Sequence, residues 1–175
     1  MHRERGVTLL ELMCTVGVLL VLALVAVPAF AQAVAAYRAI SAAEGLRADL
    51  ALARNAAVTG GKSVVVCPRT EDNRCRDDGA WTLGWLVLRD PDRDLAADVD
   101  HDLLRIASPT GLANGDLAFE ANRPFVRYRP DGRSVGTNLT IAICSAGRVQ
   151  RRLIVNNVGR VRTERAGDAA PCGAG

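Results

Sequence analysis

Between Glu11 and Arg38 the chain carries no charged side chain, and this constrains the fold more than any other feature. Wound as an α-helix at about 1.5 Å per residue, the run from Leu12 to Tyr37 outreaches a hydrocarbon core of roughly 30 Å. It predicts a helix that crosses a membrane. The preceding His2-Arg3-Glu4-Arg5 holds two arginines. Such a positive flank stays cytoplasmic, which sends the rest of the chain outward. Glu11 is the anomaly. A carboxylate at the head of an apolar helix is costly unless something neutralises it, which makes Glu11 a candidate functional residue.

Gly6-Val7-Thr8-Leu9-Leu10-Glu11, with that run behind it, resembles the processing site of type IV prepilins. The resemblance implies cleavage after Gly6 by a prepilin peptidase and methylation of the new amine on Val7. It also implies that Glu11 faces the terminal amine of a neighbouring subunit during filament assembly. Two opposite charges in lipid offset each other's desolvation only when paired, so the physics agrees. Three other readings compete. Ala29-Phe30-Ala31 before Gln32 fits a small-residue secretory cleavage site, yet the apolar run is long for one and Glu11 would lie inside it. Cys14 as a lipoprotein cysteine is preceded by the bulky Met13. A plain anchor leaves Glu11 without a role. The mature N-terminus separates these readings: Val7 for a pilin, Gln32 for a secreted protein.

With 175 residues, 49% of them hydrophobic, the chain has room for the anchor and one globular domain of about 110–120 residues. A net charge of +3 excludes a polycation. The distribution says more. From Asp90 to Glu120 eight acids stand against Arg93 and Arg105, whereas Arg148, Arg151, Arg152, Arg160, Arg162 and Arg165 face only Glu164 and Asp168 near the end. Lys62 is the only lysine. Arginine favours bidentate contacts to phosphate or carboxylate. Cys14 falls in the apolar helix as a small hydrophobe. Cys67, Cys75, Cys144 and Cys172 form an even set in an exported domain, where disulfides are expected. Of three pairings, Cys67–Cys75 closes a short loop and Cys144–Cys172 ties the tail to a strand, and these two are favoured. Zinc is disfavoured: there is no C-x-x-C pair, and His101 is the domain's only histidine.

Helix continues past the apolar run, because Ala31 to Ala57 is alanine-rich and holds no proline. Ile40, Ala43, Leu46, Leu50, Ala53 and Ala57 recur at steps of three and four, while Arg38, Glu44, Arg47, Asp49 and Arg54 fall largely elsewhere. Pro28 predicts a kink, and Gly60-Gly61 a stop. Strands are expected at Ser63–Cys67, Thr82–Leu88, Leu103–Ala107, Phe125–Arg129, Leu139–Cys144 and Arg152–Val155. Pro130-Asp131-Gly132 and Asn156-Asn157-Val158-Gly159 read as turns, the second inside a last hairpin from Leu153 to about Arg162. The fold class is α+β, an antiparallel sheet packed on a helix. The segments are 1–6 leader, 7–30 transmembrane and assembly helix, 31–60 amphipathic half, 61–165 β-rich domain and 166–175 tail.

Gly132-Arg133-Ser134-Val135-Gly136 matches the G-x-S-x-G hydrolase pattern but lacks its context. That elbow needs a following helix and a later histidine, whereas strands are expected on both sides and His2 and His101 both precede Ser134. It reads as a turn. Neither catalysis nor a cofactor is expected. Asp90-Pro91-Asp92-Arg93-Asp94 and Asp98-Val99-Asp100-His101-Asp102 alternate acids as calcium loops do. An EF-hand needs Gly sixth and Glu twelfth, but those places hold Leu95 and His101, or Leu103 and Pro109. A solvated acidic loop without metal is expected. Arg160 and Arg162 would share one face of a strand, beside a glycine that lets a backbone approach, and this suits a polyanion. A charge-guarded edge strand would look the same.

Gly6–Glu11, Leu46–Arg54 in its Leu-Arg-x-Asp-Leu-x-x-Ala-Arg form, Val66-Cys67-Pro68, Trp81 with Gly84-Trp85-Leu86-Val87, Leu103-Leu104-Arg105 and Gly159-Arg160-Val161-Arg162 together resemble the FimT/GspH group of minor pilins and pseudopilins. The resemblance implies a type IV pilin-like fold. In FimT-type members a C-terminal Gly-Arg-x-Arg element is associated with DNA capture in natural transformation, which would put Gly159, Arg160 and Arg162 in that role. The charge pattern adds Arg148, Arg151, Arg152 and Arg165 as helpers. Tyr128 is the nearest aromatic, so contacts to the DNA backbone, independent of sequence, are expected. The implied partners are other pilins of the filament, the prepilin peptidase, the inner membrane and DNA. The expected location is the inner membrane with the domain periplasmic, then the pilus surface. The alternative is a GspH-type pseudopilin of a type II secretion system, structural and without DNA binding.

Overall fold

The computed structural model describes residues 8–81, 83–97, 99–109, 116–165 and 171–172. Among the described residues one α-helix, α1 (Leu9–Gly60), is followed by eight strands, with a short 3-10 turn at Asp100–Asp102 before the third: β1 (Val64–Pro68), β2 (Trp85–Arg89), β3 (Leu103–Ala107), β4 (Leu117–Ala121), β5 (Val126–Tyr128), β6 (Leu139–Ser145), β7 (Arg148–Val155) and β8 (Val161–Arg165). The chain divides into two compact units, Met1–Val34 and Ala35–Gly175.

In the first unit α1 starts at Leu9, and the Thr8 hydroxyl caps it by accepting a hydrogen bond from the Glu11 amide at 3.3 Å. The apolar side chains that follow are exposed, from Leu9 at 75% to Phe30 at 73%. The helix is long and apolar enough to cross a membrane, and it continues through Pro28. Those exposures would be prohibitive in water and are what a lipid-facing helix presents.

In the second unit the helix turns Ala39, Ala42, Ala43, Leu46, Leu50, Ala53 and Ala57 inward. The expected stripe is displaced by one position at its start: Ile40 is exposed, and Ala39 takes the core-facing place. Small alanines let the sheets approach closely, while Leu46 and Leu50, both fully buried, each contribute about 1.5–3 kcal/mol of transfer free energy. Gly61, at φ 63°, ends the helix in the left-handed region that glycine tolerates.

Two four-stranded antiparallel sheets stand where one was expected, in orders β3-β2-β1-β5 and β4-β6-β7-β8. Both contribute to one core with the helix, through Val64, Val66, Trp85 and Val87 on the first and Phe119, Ile141, Ile143 and Leu153 on the second. The first sheet is buried on its other side too. Val65, Cys67, Leu86 and Leu88 form a second cluster under Leu95, Leu103 and Phe125. This two-sided burial explains why β1 and β2 read as unbroken apolar runs rather than alternating ones.

Asp49 corrects the amphipathic pattern. It lies on the buried side of α1, where its Oδ2 accepts a hydrogen bond from Trp85 Nε1 at 2.8 Å and its Oδ1 lies 3.3 Å from Arg105 Nε. Both disulfides form as favoured, Cys67–Cys75 and Cys144–Cys172, with Cα separations of 5.5 and 6.2 Å.

Candidate nucleic-acid interface and assembly segment

The β7–β8 hairpin is built around the turn at 156–160. Gly159 N donates to Asn156 O at 2.8 Å, Asn156 N to Arg160 O at 3.1 Å, and Arg160 N to the Asn156 side-chain carbonyl at 3.0 Å. Asparagine and glycine suit such a turn because one side chain can mimic a backbone acceptor and the other residue tolerates positive φ. Gly159, at φ 80°, is buried. A Cβ there would lie 2.1 Å from the Gly132 carbonyl oxygen. The backbone that Gly159 admits is therefore that of the neighbouring turn.

That second turn, at 129–134, is fastened to the first. Ser134 N donates to Asn157 O at 3.1 Å, and the Ser134 hydroxyl donates to Asn156 O at 2.7 Å. From below, Arg54 Nε reaches Gly132 O at 3.0 Å and its Nη2 reaches Val158 O at 3.4 Å. Ser134 is buried and its hydroxyl is committed to the hairpin, which disposes of the hydrolase reading on positive grounds. Tyr128 packs under the same junction, and burial pushes its phenol well above the usual value, with Arg54 pulling weakly the other way.

The six C-terminal arginines do not form one cluster. Arg160 is exposed on the turn, and Arg162 follows it on β8, directly opposite Ile154. Glu164 interrupts the charge beyond them. Its Oε1 is 3.2 Å from Arg162 Nε, and it stands opposite Arg152 in the ladder. Val161 packs against the core, so by alternation Arg162 and Glu164 lie on the outer face and Arg165 on the other. Arg165 is directly opposite the half-buried Arg151, whose Nη1 donates to Gln150 O at 2.8 Å. Arg148 lies at the far end of the hairpin, bridged to Pro171. The outer face beside Arg152 is hollowed into an open groove of about 450 Å³ with Glu120, Thr140, Ala142 and Pro171 on its walls.

The first acidic loop is solvated as expected at Asp92 and Asp94 but not at Asp90. Asp90 is fully buried, with its Oδ2 2.6 Å from Arg127 Nη1 and its Oδ1 accepting from Leu95 N at 3.3 Å. The Arg127 guanidinium supplies the countercharge that this buried carboxylate needs. Asp92 and Asp94 stay exposed, and Asp98 lies outside the described residues.

At the N-terminus, Glu11 is exposed in the first turn of α1. Gly6 and Val7 lie outside the described residues. Thr8-x-x-Glu11 has the spacing of a capping box, a local signal that a reading centred on membrane cost passes over.

Comparison with known proteins decides the family. The family described as Type II transport protein GspH matches residues 42–159. The chain belongs to the GspH family. Residues 1–27 also match the prokaryotic N-terminal methylation motif. No curated protein matches at a significant level. Among solved structures, the type IV minor pilin FimU of Pseudomonas aeruginosa is similar with a TM-score of 0.53 at 22% identity, over 71% of this chain and 90% of that one. The minor pseudopilin EpsH of Vibrio cholerae is similar with a TM-score of 0.51 at 17% identity, over 74% of this chain and 97% of that one. At these identities the likeness shows the fold, which is type IV pilin-like. The GspH match ends at Gly159, immediately before Arg160 of the turn and short of the arginines of β8.

Proposed function

We propose that this GspH-family chain is a minor type IV pilin whose C-terminal hairpin holds DNA by its phosphates for uptake. The observation that carries the reading is the exposure of Arg160 and Arg162 on a turn and strand fixed to the body of the domain. In this reading a prepilin peptidase cuts after Gly6 and the amine of Val7 is methylated. Glu11 pairs with the amine of a neighbouring pilin, and the domain lies on the periplasmic side before entering the pilus. The match to the methylation motif supports the first steps, and the exposed carboxylate of Glu11 on an apolar helix supports the pairing.

The test uses the full chain in detergent micelles, titrated with mixed-sequence duplex at several salt concentrations. Each phosphate contact contributes a slope of about −0.9 in log K against log salt. Arg160→Gln with Arg162→Gln lowers the slope by roughly two units and weakens binding on all sequences alike. Affinity unchanged by the double substitution rejects the site. A second reading, favoured by the family's description, is a type II secretion pseudopilin that assembles without binding nucleic acid. Absence of salt-dependent binding by the unaltered chain selects it.

A further inference from the structure

We infer that the phosphate-binding surface is a clamp of two turns, in which Arg129 and Arg133 act together with Arg160 and Arg162. This rests on the reading of the hairpin as a polyanion site and extends it to a part of the chain thirty residues away that the charge pattern of the C-terminus does not reveal. Arg129 and Arg133 are exposed and close their own turn, Arg129 N donating to Arg133 O at 2.9 Å. That turn is the one hydrogen-bonded through Ser134 to Asn156 and Asn157. Three exposed guanidinium groups therefore stand on two mutually fastened turns. A fourth, Arg54, lies beneath with both its contacts made to main-chain carbonyls.

Countercharge is scarce at this junction. The only acid on either turn is Asp131, whose Oδ1 accepts the Arg133 amide at 3.0 Å. The ion pairs among the described residues include none of Arg129, Arg133, Arg160 or Arg54. In the other direction along β8, Glu164 meets Arg162 and faces Arg152. A phosphodiester chain thus gains most by running from Arg162 across Arg160 onto the β5–β6 turn, and least by following the strand to Arg165. Because the two turns are locked by Arg54, by Ser134 and by the close approach of Gly159 to Gly132, little ordering is needed on binding.

The experiment compares four variants of the full chain in micelles, each checked for an unchanged melting temperature, against mixed-sequence duplex and against inorganic polyphosphate. Arg129→Gln with Arg133→Gln is expected to lower the salt slope by about two units and affinity roughly tenfold or more. Arg148→Gln with Arg165→Gln, at the far end, is expected to change it much less. Asp131→Asn keeps the turn's acceptor and should tighten binding several-fold, a gain that misfolding does not produce. If the 129/133 pair has no effect while the 160/162 pair does, or if the 148/165 pair has as large an effect as the 129/133 pair, the clamp is overturned and the DNA reading stands. If the unaltered chain binds polyphosphate through the 129/133 pair but does not bind duplex, the DNA reading falls and the clamp remains. Failure of the 129/133 pair to alter either ligand overturns the clamp outright.

Discussion

Gly159 shows how a residue that looks like part of a binding motif can be demanded by packing. Its Cα sits against the Gly132 carbonyl, so Gly159→Ala should cost roughly 2 kcal/mol or more, read as a lower urea midpoint, before any effect on a ligand is considered. Tyr128 beneath it gives a pH prediction. An unfolded phenol ionises near about pH 10, whereas burial keeps the folded one protonated to higher pH. The unfolded state therefore loses its proton first, and stability should fall as pH rises beyond about 10. Tyr128→Phe should flatten that alkaline decline in thermal melts, with little change at neutral pH, because no described protein group accepts the Tyr128 hydroxyl. At Asp49 the expected outcome is opposite in kind. Asp49→Ala strands the Trp85 indole N–H and should cost about 1–3 kcal/mol. None of these roles is legible in the sequence. Helical periodicity marks a carboxylate as outward, and only the tertiary partner, an indole thirty-six residues on, reverses the assignment.

Elements were legible to the extent that their signals are local. The Gly60-Gly61 stop, the Pro130-Asp131-Gly132 turn and strand β3 all stand where backbone preference puts them. Strand β4 has no local signal, because Leu117-Ala118-Phe119-Glu120-Ala121 is short and its alanines carry little β preference; its pairing with β6 makes it a strand. The division into two sheets is also invisible in spacing, since sheet order is a matter of long-range pairing. The disulfide Cys144–Cys172 spans the whole β7–β8 hairpin, with a separation of 28 residues. Replacing both cysteines by alanine should lower stability by roughly 3–4 kcal/mol on the loop-entropy estimate. Amide exchange should quicken in β7 and β8 more than in β1 and β2, whose strands are covered on both faces.

For the whole molecule, the uncharged run gives the first unit a helix long and apolar enough to cross a membrane, and the match to the methylation motif covers the same stretch, so both are legible in the first thirty-seven residues. Glu11→Ala should leave membrane insertion intact, since it removes the one acidic group from the apolar half of α1, but should abolish recovery of the chain in sheared filaments. Normal recovery would refute the pairing with a neighbouring amine. The proposed phosphate surface is half legible. Arg160 and Arg162 are conspicuous as a pair in the sequence, whereas Arg129 and Arg133 join the proposal only because one turn folds onto another. The bridge between Cys144 and Cys172 has a mechanical consequence for such a surface. All six C-terminal arginines lie inside the covalent ring it closes. A ligand under tension can then draw out no more slack than that ring contains, and the load passes into β6 at the centre of the domain instead of peeling the last strand away.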